Sequence, residues 1–105
     1  MRLTELHAKF TQIIPLGSGI YTGIVYVCPN DPRRKRGHGV LFDRPINPYG
    51  AEHDAAIALA LNANDGWRTQ PKWRRVGDTI ETLTLSPSIS WPCCHSVIEN
   101  GEVKP

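Results

Sequence analysis

The sequence predicts a compact α+β domain: a small, mainly antiparallel sheet, one main helix, and long loops joined by a Cys/His cluster. Three observations point there. Nine prolines and nine glycines in 105 residues break the chain often, which favours many short elements over a few long ones. β-Branched and aromatic runs recur over residues 20–28 and 95–99, while strong helix formers concentrate in a single stretch, 52–62. The length suits one domain over 1–105 and leaves no room for two cores and a linker.

Taken in order, Leu3, Leu6 and Phe10 line a short helix before Pro15-Leu16-Gly17-Ser18-Gly19 interrupts regular structure. Residues 20–28 read as a strand buried on most of both faces, which delivers Cys28 to a sheet edge. Pro29 and Pro32 forbid further pairing there, and Arg33-Arg34-Lys35-Arg36-Gly37 is a polar excursion that returns at His38 into a strand over 39–42. Pairing of those strands would put Cys28 and His38 together at the mouth of one long hairpin loop. Pro45, Asn47, Pro48 and Gly50 form a turn, followed by the helix over 52–62, with Glu52 and Asp54 suited to its positive end. Asn62-Ala63-Asn64-Asp65-Gly66 supplies the stop.

Residues 67–75 are basic and aromatic, and 76–79 form a turn. A strand follows over 81–85, with Leu83 and Leu85 inward. Ser86-Pro87-Ser88 should end that strand, because proline lacks the amide that an interior ladder position needs. The last strand is expected over 95–99, and Asn100-Gly101 is the preferred pair for a type I′ hairpin turn.

Composition bounds the function classes. With 40% hydrophobic and 21% charged residues the chain should fold, and a net charge of +2 is too small to imply a nucleic-acid or membrane partner by itself. No apolar run approaches the roughly 20 residues of a membrane span, and no secretory segment opens the chain, so a cytoplasmic location and no membrane partner are expected. Three cysteines, two of them adjacent, make a poor disulfide framework.

Thiolate chemistry or metal binding is then the better use of these residues. Cys28 and His38, with Cys93, Cys94 and His95, are the donor types that zinc prefers; four close a structural site and three leave a position for water. If 93–95 is extended, Cys93 and His95 share a face and Cys94 points to the other, so Cys93 is preferred as ligand with Cys94 as the alternate. Ser88 is a candidate nucleophile with His95 as base seven residues on, across a turn. An imidazole nitrogen bound to zinc cannot also accept the serine proton, so His95 should have one role. The basic runs at 33–36 and around Trp67 and Trp73 could grip phosphate or an acidic protein, but a solvated loop is the commoner meaning of such a run, and nucleic acid ranks below protein as partner. Asp78, Glu81, His7 and His53 receive no role.

The segment Trp73-Arg74-Arg75-Val76-Gly77-Asp78-Thr79-Ile80-Glu81-Thr82-Leu83-Thr84-Leu85-Ser86-Pro87-Ser88-Ile89, followed by Cys94-His95-Ser96-Val97-Ile98-Glu99-Asn100-Gly101-Glu102-Val103, resembles a small phage and bacterial family of unknown function. Its phage copies are often labelled ammonia monooxygenase, and its relatives occur beside bacterial ubiquitin-like conjugation enzymes. Members often carry a strand ending in Cys-Pro, as Cys28-Pro29 does here, but follow it quickly with further cysteine or histidine, whereas here residues 30–37 intervene before His38. The resemblance raises Ser88 and His95 as site residues and implies a peptidase that trims or removes the modifier. The expectation is therefore a zinc-containing small hydrolase acting on ubiquitin-like tails in the cytoplasm, that of the host cell for a phage copy. Either Ser88 is the nucleophile beside a structural zinc, or an incompletely ligated zinc activates water. The alternative is a non-catalytic phage accessory protein that binds a host or defence component through basic, tryptophan-bearing loops. The oligomeric state is not legible.

Overall fold

The computed structural model describes residues 1–12, 19–29, 37–90 and 95–104. Its strands lie in one curled sheet in chain order: β1 (Lys9–Thr11), β2 (Tyr21–Val27), β3 (Gly37–Ile46), β4 (Lys72–Val76), β5 (Thr84–Ser90), β6 (His95–Glu99) and β7 (Glu102–Lys104). Among the described strands only the β3–β4 join is parallel, through Leu41↔Lys72 and Phe42↔Trp73. The helices α1 (Asp54–Asn62) and α2 (Asp65–Arg68) fill the connection between those two strands, as a parallel pair requires.

The sheet curls around side chains of period two. Ile24 and Tyr26 of β2, Val40 and Phe42 of β3, Leu85 and Ile89 of β5, Ile98 of β6 and Val103 of β7 all point inward into one core, with Leu83 beside them. Each such side chain contributes about 1.5–3 kcal/mol by leaving water. A 3₁₀ turn at Leu3–Leu6 adds two fully buried leucines and draws the sheet's two edges together: the Val103 amide donates to Met1 O (2.7 Å) and the Leu3 amide to Gly101 O (2.7 Å), before the chain passes on to β1. The short helix expected through Phe10 thus ends earlier. Phe10 lies in β1, its ring 5.7 Å from Tyr21 and 6.1 Å from Phe42, and that cross-strand aromatic packing outweighs a local helix.

The strand expected over 20–28 and the long hairpin are present, with Val27 paired to Gly37 and Tyr26 to His38. The returning strand is longer than 39–42 and runs through Pro45. The register jumps from Gly23↔Leu41 to Tyr21↔Ile46, and a proline is tolerated where the ladder is broken. The helix starts at Asp54 after a 3₁₀ turn and buries Ile57 and Leu61 against Ile20 and Trp67. Its stop signal also begins α2, because the Asn64 side chain accepts from the Trp67 amide (3.1 Å).

β4 was not legible as a strand because a charge occupies one of its inward positions. Arg75 reaches across the seam where β3 and β4 part, its Nε donating to Arg44 O (2.9 Å) and its Nη2 to Pro45 O (3.2 Å), with Nη1 donating to Gly77 O. Desolvation and then Arg44 hold its guanidinium below the ordinary arginine range, against the opposing pull of Asp78 and Asp43.

The strand expected over 81–85 is displaced: β5 begins at Thr84 and continues through Pro87 to Ser90. Leu83 and Leu85 are buried as expected. Leu85 pairs with Ile98 and Ile89 with Ser96, so Ser86, Pro87 and Ser88 together oppose Val97 alone. In such a bulge the missing proline amide breaks no ladder bond, so the strand survives it. β6 occupies the expected residues, and Asn100 (φ 48°) and Gly101 (φ 76°) make the hairpin turn to β7. A Cβ on Gly101 would sit 2.6 Å from Glu81 O, so the position requires glycine.

Candidate active site

Strand direction assembles the site at one rim of the curled sheet. β2 ends there at Val27, followed by Cys28, and β3 begins there with Gly37 and His38. Because β4 runs parallel to β3 and β5 antiparallel to β4, β5 ends at this rim with Ser88 and Ser90, and β6 begins there with His95. Residues distant in sequence, Cys28, His38, Ser88 and His95, therefore share one end of the fold. Ser90 and His95, which bracket Cys93 and Cys94 in sequence, lie at the same end; Cys93 and Cys94 themselves fall outside the described residues, as do Arg33, Arg34, Lys35 and Arg36.

The sheet divides these side chains between its two faces. Cys28 and His38 are 1% and 5% exposed and stand on the inner face, where the His38 ring meets Tyr26 edge-on at 5.7 Å between centroids. His95 is exposed and belongs to the outer face, since its neighbour Ser96 is 2% exposed and points inward opposite Ile89. The imidazole at 95 is thus directed away from the thiol at 28 and the imidazole at 38. Among the described residues no three His, Cys, Asp or Glu side chains gather as a metal-binding group.

On the outer face, Ser90 is the direct cross-strand partner of His95, and Ser88, two residues earlier in the bulge, is exposed. A diagonal pair of this kind is about 7–8 Å apart between backbone positions, within reach of an imidazole leaning along its strand. No hydrogen bond joins His95 to either serine. Sequence reasoning missed Ser90, and the signal for it was available: two residues from Ser88 on a strand means one shared face. The tryptophans near the second basic run pack inward rather than forming an open loop. Trp73 lies against the main core and Trp67 against the Ile57 cluster. Lys72 stands 4.1 Å over the Trp67 ring and donates to Arg68 O and Gln70 O, so this pair ties α2 to β4. A cavity of about 720 Å³ lies at the far end of β3 and β4, under α1, and holds none of the expected site residues.

Residues 50–105 match the family model described as bacterial ubiquitination-like system serine protease (BubE). The chain belongs to that family. The BubE match spans α1 through β7, and so includes the bulge, Ser88, Ser90 and His95, but not the β2–β3 hairpin that carries Cys28 and His38. The family's association with bacterial ubiquitin-like conjugation agrees with the resemblance read from the sequence, and its description is that of a protease. No curated protein and no solved structure matches the chain. No helix among the described residues is long and apolar enough to cross a membrane.

Proposed function

We propose that this BubE-family chain is a serine peptidase that cleaves the extended tail of a ubiquitin-like protein, with Ser88 as nucleophile and His95 as general base. The observation that carries this reading is an elimination. The family-matched residues contain four serines, Ser86, Ser88, Ser90 and Ser96, and two histidines, His53 and His95. Ser96 is buried and faces the core, and His53 lies in the turn before α1 with its ring 6.3 Å from Tyr49. Ser86 lies on the far side of Pro87 from His95 and pairs with Arg74. Ser88 and Ser90 remain beside His95. Ser88 is favoured because a bulge takes residues out of the ladder, presenting the hydroxyl and nearby main-chain donors to a reacting carbonyl.

In this mechanism Ser88 Oγ attacks the scissile carbonyl carbon while His95 accepts the hydroxyl proton. The tetrahedral oxyanion collapses to an acyl-enzyme as His95 returns that proton to the departing amine. Water, deprotonated by His95, then releases the acid and restores Ser88.

Cys28 and His38 are of the donor types that a structural zinc takes. With Cys93 and Cys94 supplying the remaining thiolates they would hold it, leaving His95 outside as base. Bound there, zinc supplies folding energy by tying the β2–β3 hairpin to the β5–β6 connection.

The test is incubation of the chain with a ubiquitin-like protein bearing a C-terminal extension, followed by intact-mass analysis. Cleavage lost in Ser88→Ala and kept in Ser90→Ala supports the assignment. Full cleavage by Ser88→Ala overturns it.

A further inference from the structure

The outer face around the bulge carries charge that the peptidase reading leaves unused. Arg74 of β4 is the register partner of Ser86, and Lys104 of β7 is the partner of Val97, the residue that opposes Ser86, Pro87 and Ser88. Arg74, the bulge, Val97 and Lys104 therefore form one row across four strands on the exposed surface, with a cation at each end. Strand spacing puts the end residues about 14 Å apart, the length of about four extended residues. Neither cation has an ion-pair or hydrogen-bond partner for its side chain among the described residues. The acid beside Arg74 is Asp43, which follows Phe42, the β3 partner of Trp73; its carboxylate is engaged by the Arg75 amide (3.2 Å). The cross-strand pair Glu99 and Glu102 stands one step toward the Asn100-Gly101 turn, outside the row.

Resting on the peptidase reading, we infer that Arg74, with Lys104 on the opposite flank, is a carboxylate subsite, so that the preferred substrate is an extended segment carrying a carboxylate within about two residues of the scissile bond. The planar guanidinium suits a carboxylate because it donates two parallel hydrogen bonds, which the Lys104 ammonium cannot do. The two flanks are therefore unequal, and Arg74 is the specificity-determining residue. The carboxylate has two sources, an Asp or Glu side chain or the free end of a tail, and the experiment separates them.

The experiment uses the Ser88→Ala chain, so that binding is read without turnover. Three N-acetylated hexapeptides of one Ala/Thr/Gly sequence serve as probes: one with a free C-terminal carboxylate, one amidated, and one amidated with Glu at its fourth position. Amide chemical shifts at Ser86 and Val97 report occupancy. The expected result is binding of one or both carboxylate peptides about tenfold tighter than the plain amide. The preference should be lost in Arg74→Gln, partly kept in Arg74→Lys, and weakened less in Lys104→Gln. The peptide that gains affinity identifies the source of the carboxylate. Equal binding of all three, no binding of any, a preference that survives Arg74→Gln, or displacement by oligothymidylate in place of peptide preference overturns the subsite. Preference in Ser88→Ala with no hydrolysis by the unmodified chain retains the subsite and refutes the peptidase. Hydrolysis with no preference does the reverse.

Discussion

Ser90 and His95 face each other across the β5–β6 ladder on the outer surface, while their neighbours Ile89 and Ser96 face each other inside. One register therefore decides which serine and which histidine chemistry can use. It also separates His95 from the thiol and imidazole on the inner face.

If His95 is a base and not a ligand, His95→Ala should lower peptidase turnover by about a thousandfold or more while leaving zinc content unchanged. Cys28→Ser should do the opposite to the metal, releasing zinc and lowering the melting temperature. Metal analysis beside a turnover assay checks both. Zinc lost in His95→Ala would return that residue to the metal site.

Ser88 is exposed and has no hydrogen-bond partner among the described residues, so Ser88→Ala should change stability by no more than about 0.5 kcal/mol while abolishing turnover. Denaturant unfolding of the variant measures this. A larger loss would mean that the bulge needs the hydroxyl for its own structure.

The seam between β3 and β4 depends on the Arg75 fork. Arg75→Lys keeps the charge but cannot reproduce donors directed at Arg44 O, Pro45 O and Gly77 O together, and should cost about 1–2 kcal/mol. Urea unfolding tests this. An unchanged midpoint would show that water replaces the fork without loss.

Gly101→Ala should destabilise by about 2 kcal/mol or more, because a Cβ at φ 76° adds backbone strain to a 2.6 Å approach to Glu81 O and a 2.8 Å approach to Ile80 O. Thermal unfolding reads the effect.

Much of this fold was legible in the residues. The β2–β3 hairpin, the helix, β6 and the Asn100-Gly101 turn all follow from local periodicity or turn chemistry. The rest depended on tertiary context. Arg75 points inward because main-chain carbonyls of another strand await it, which no local pattern discloses. Pro87 stays within β5 because a bulge removes its ladder partner, and Phe10 joins a strand because Tyr21 and Phe42 surround it. In the site, Ser88 and His95 were readable as residue types. The face each occupies, and the pairing that adds Ser90, required the register.

Covalent trapping tests the central claim most directly. The chain is treated with a fluorophosphonate that reacts with activated serines, and the adduct is mapped by peptide mass spectrometry. The account predicts one stoichiometric adduct on Ser88, absent in His95→Ala and retained in Ser90→Ala. An adduct on Ser90, or full hydrolysis of a tail substrate with Ser88 unlabelled, would contradict it.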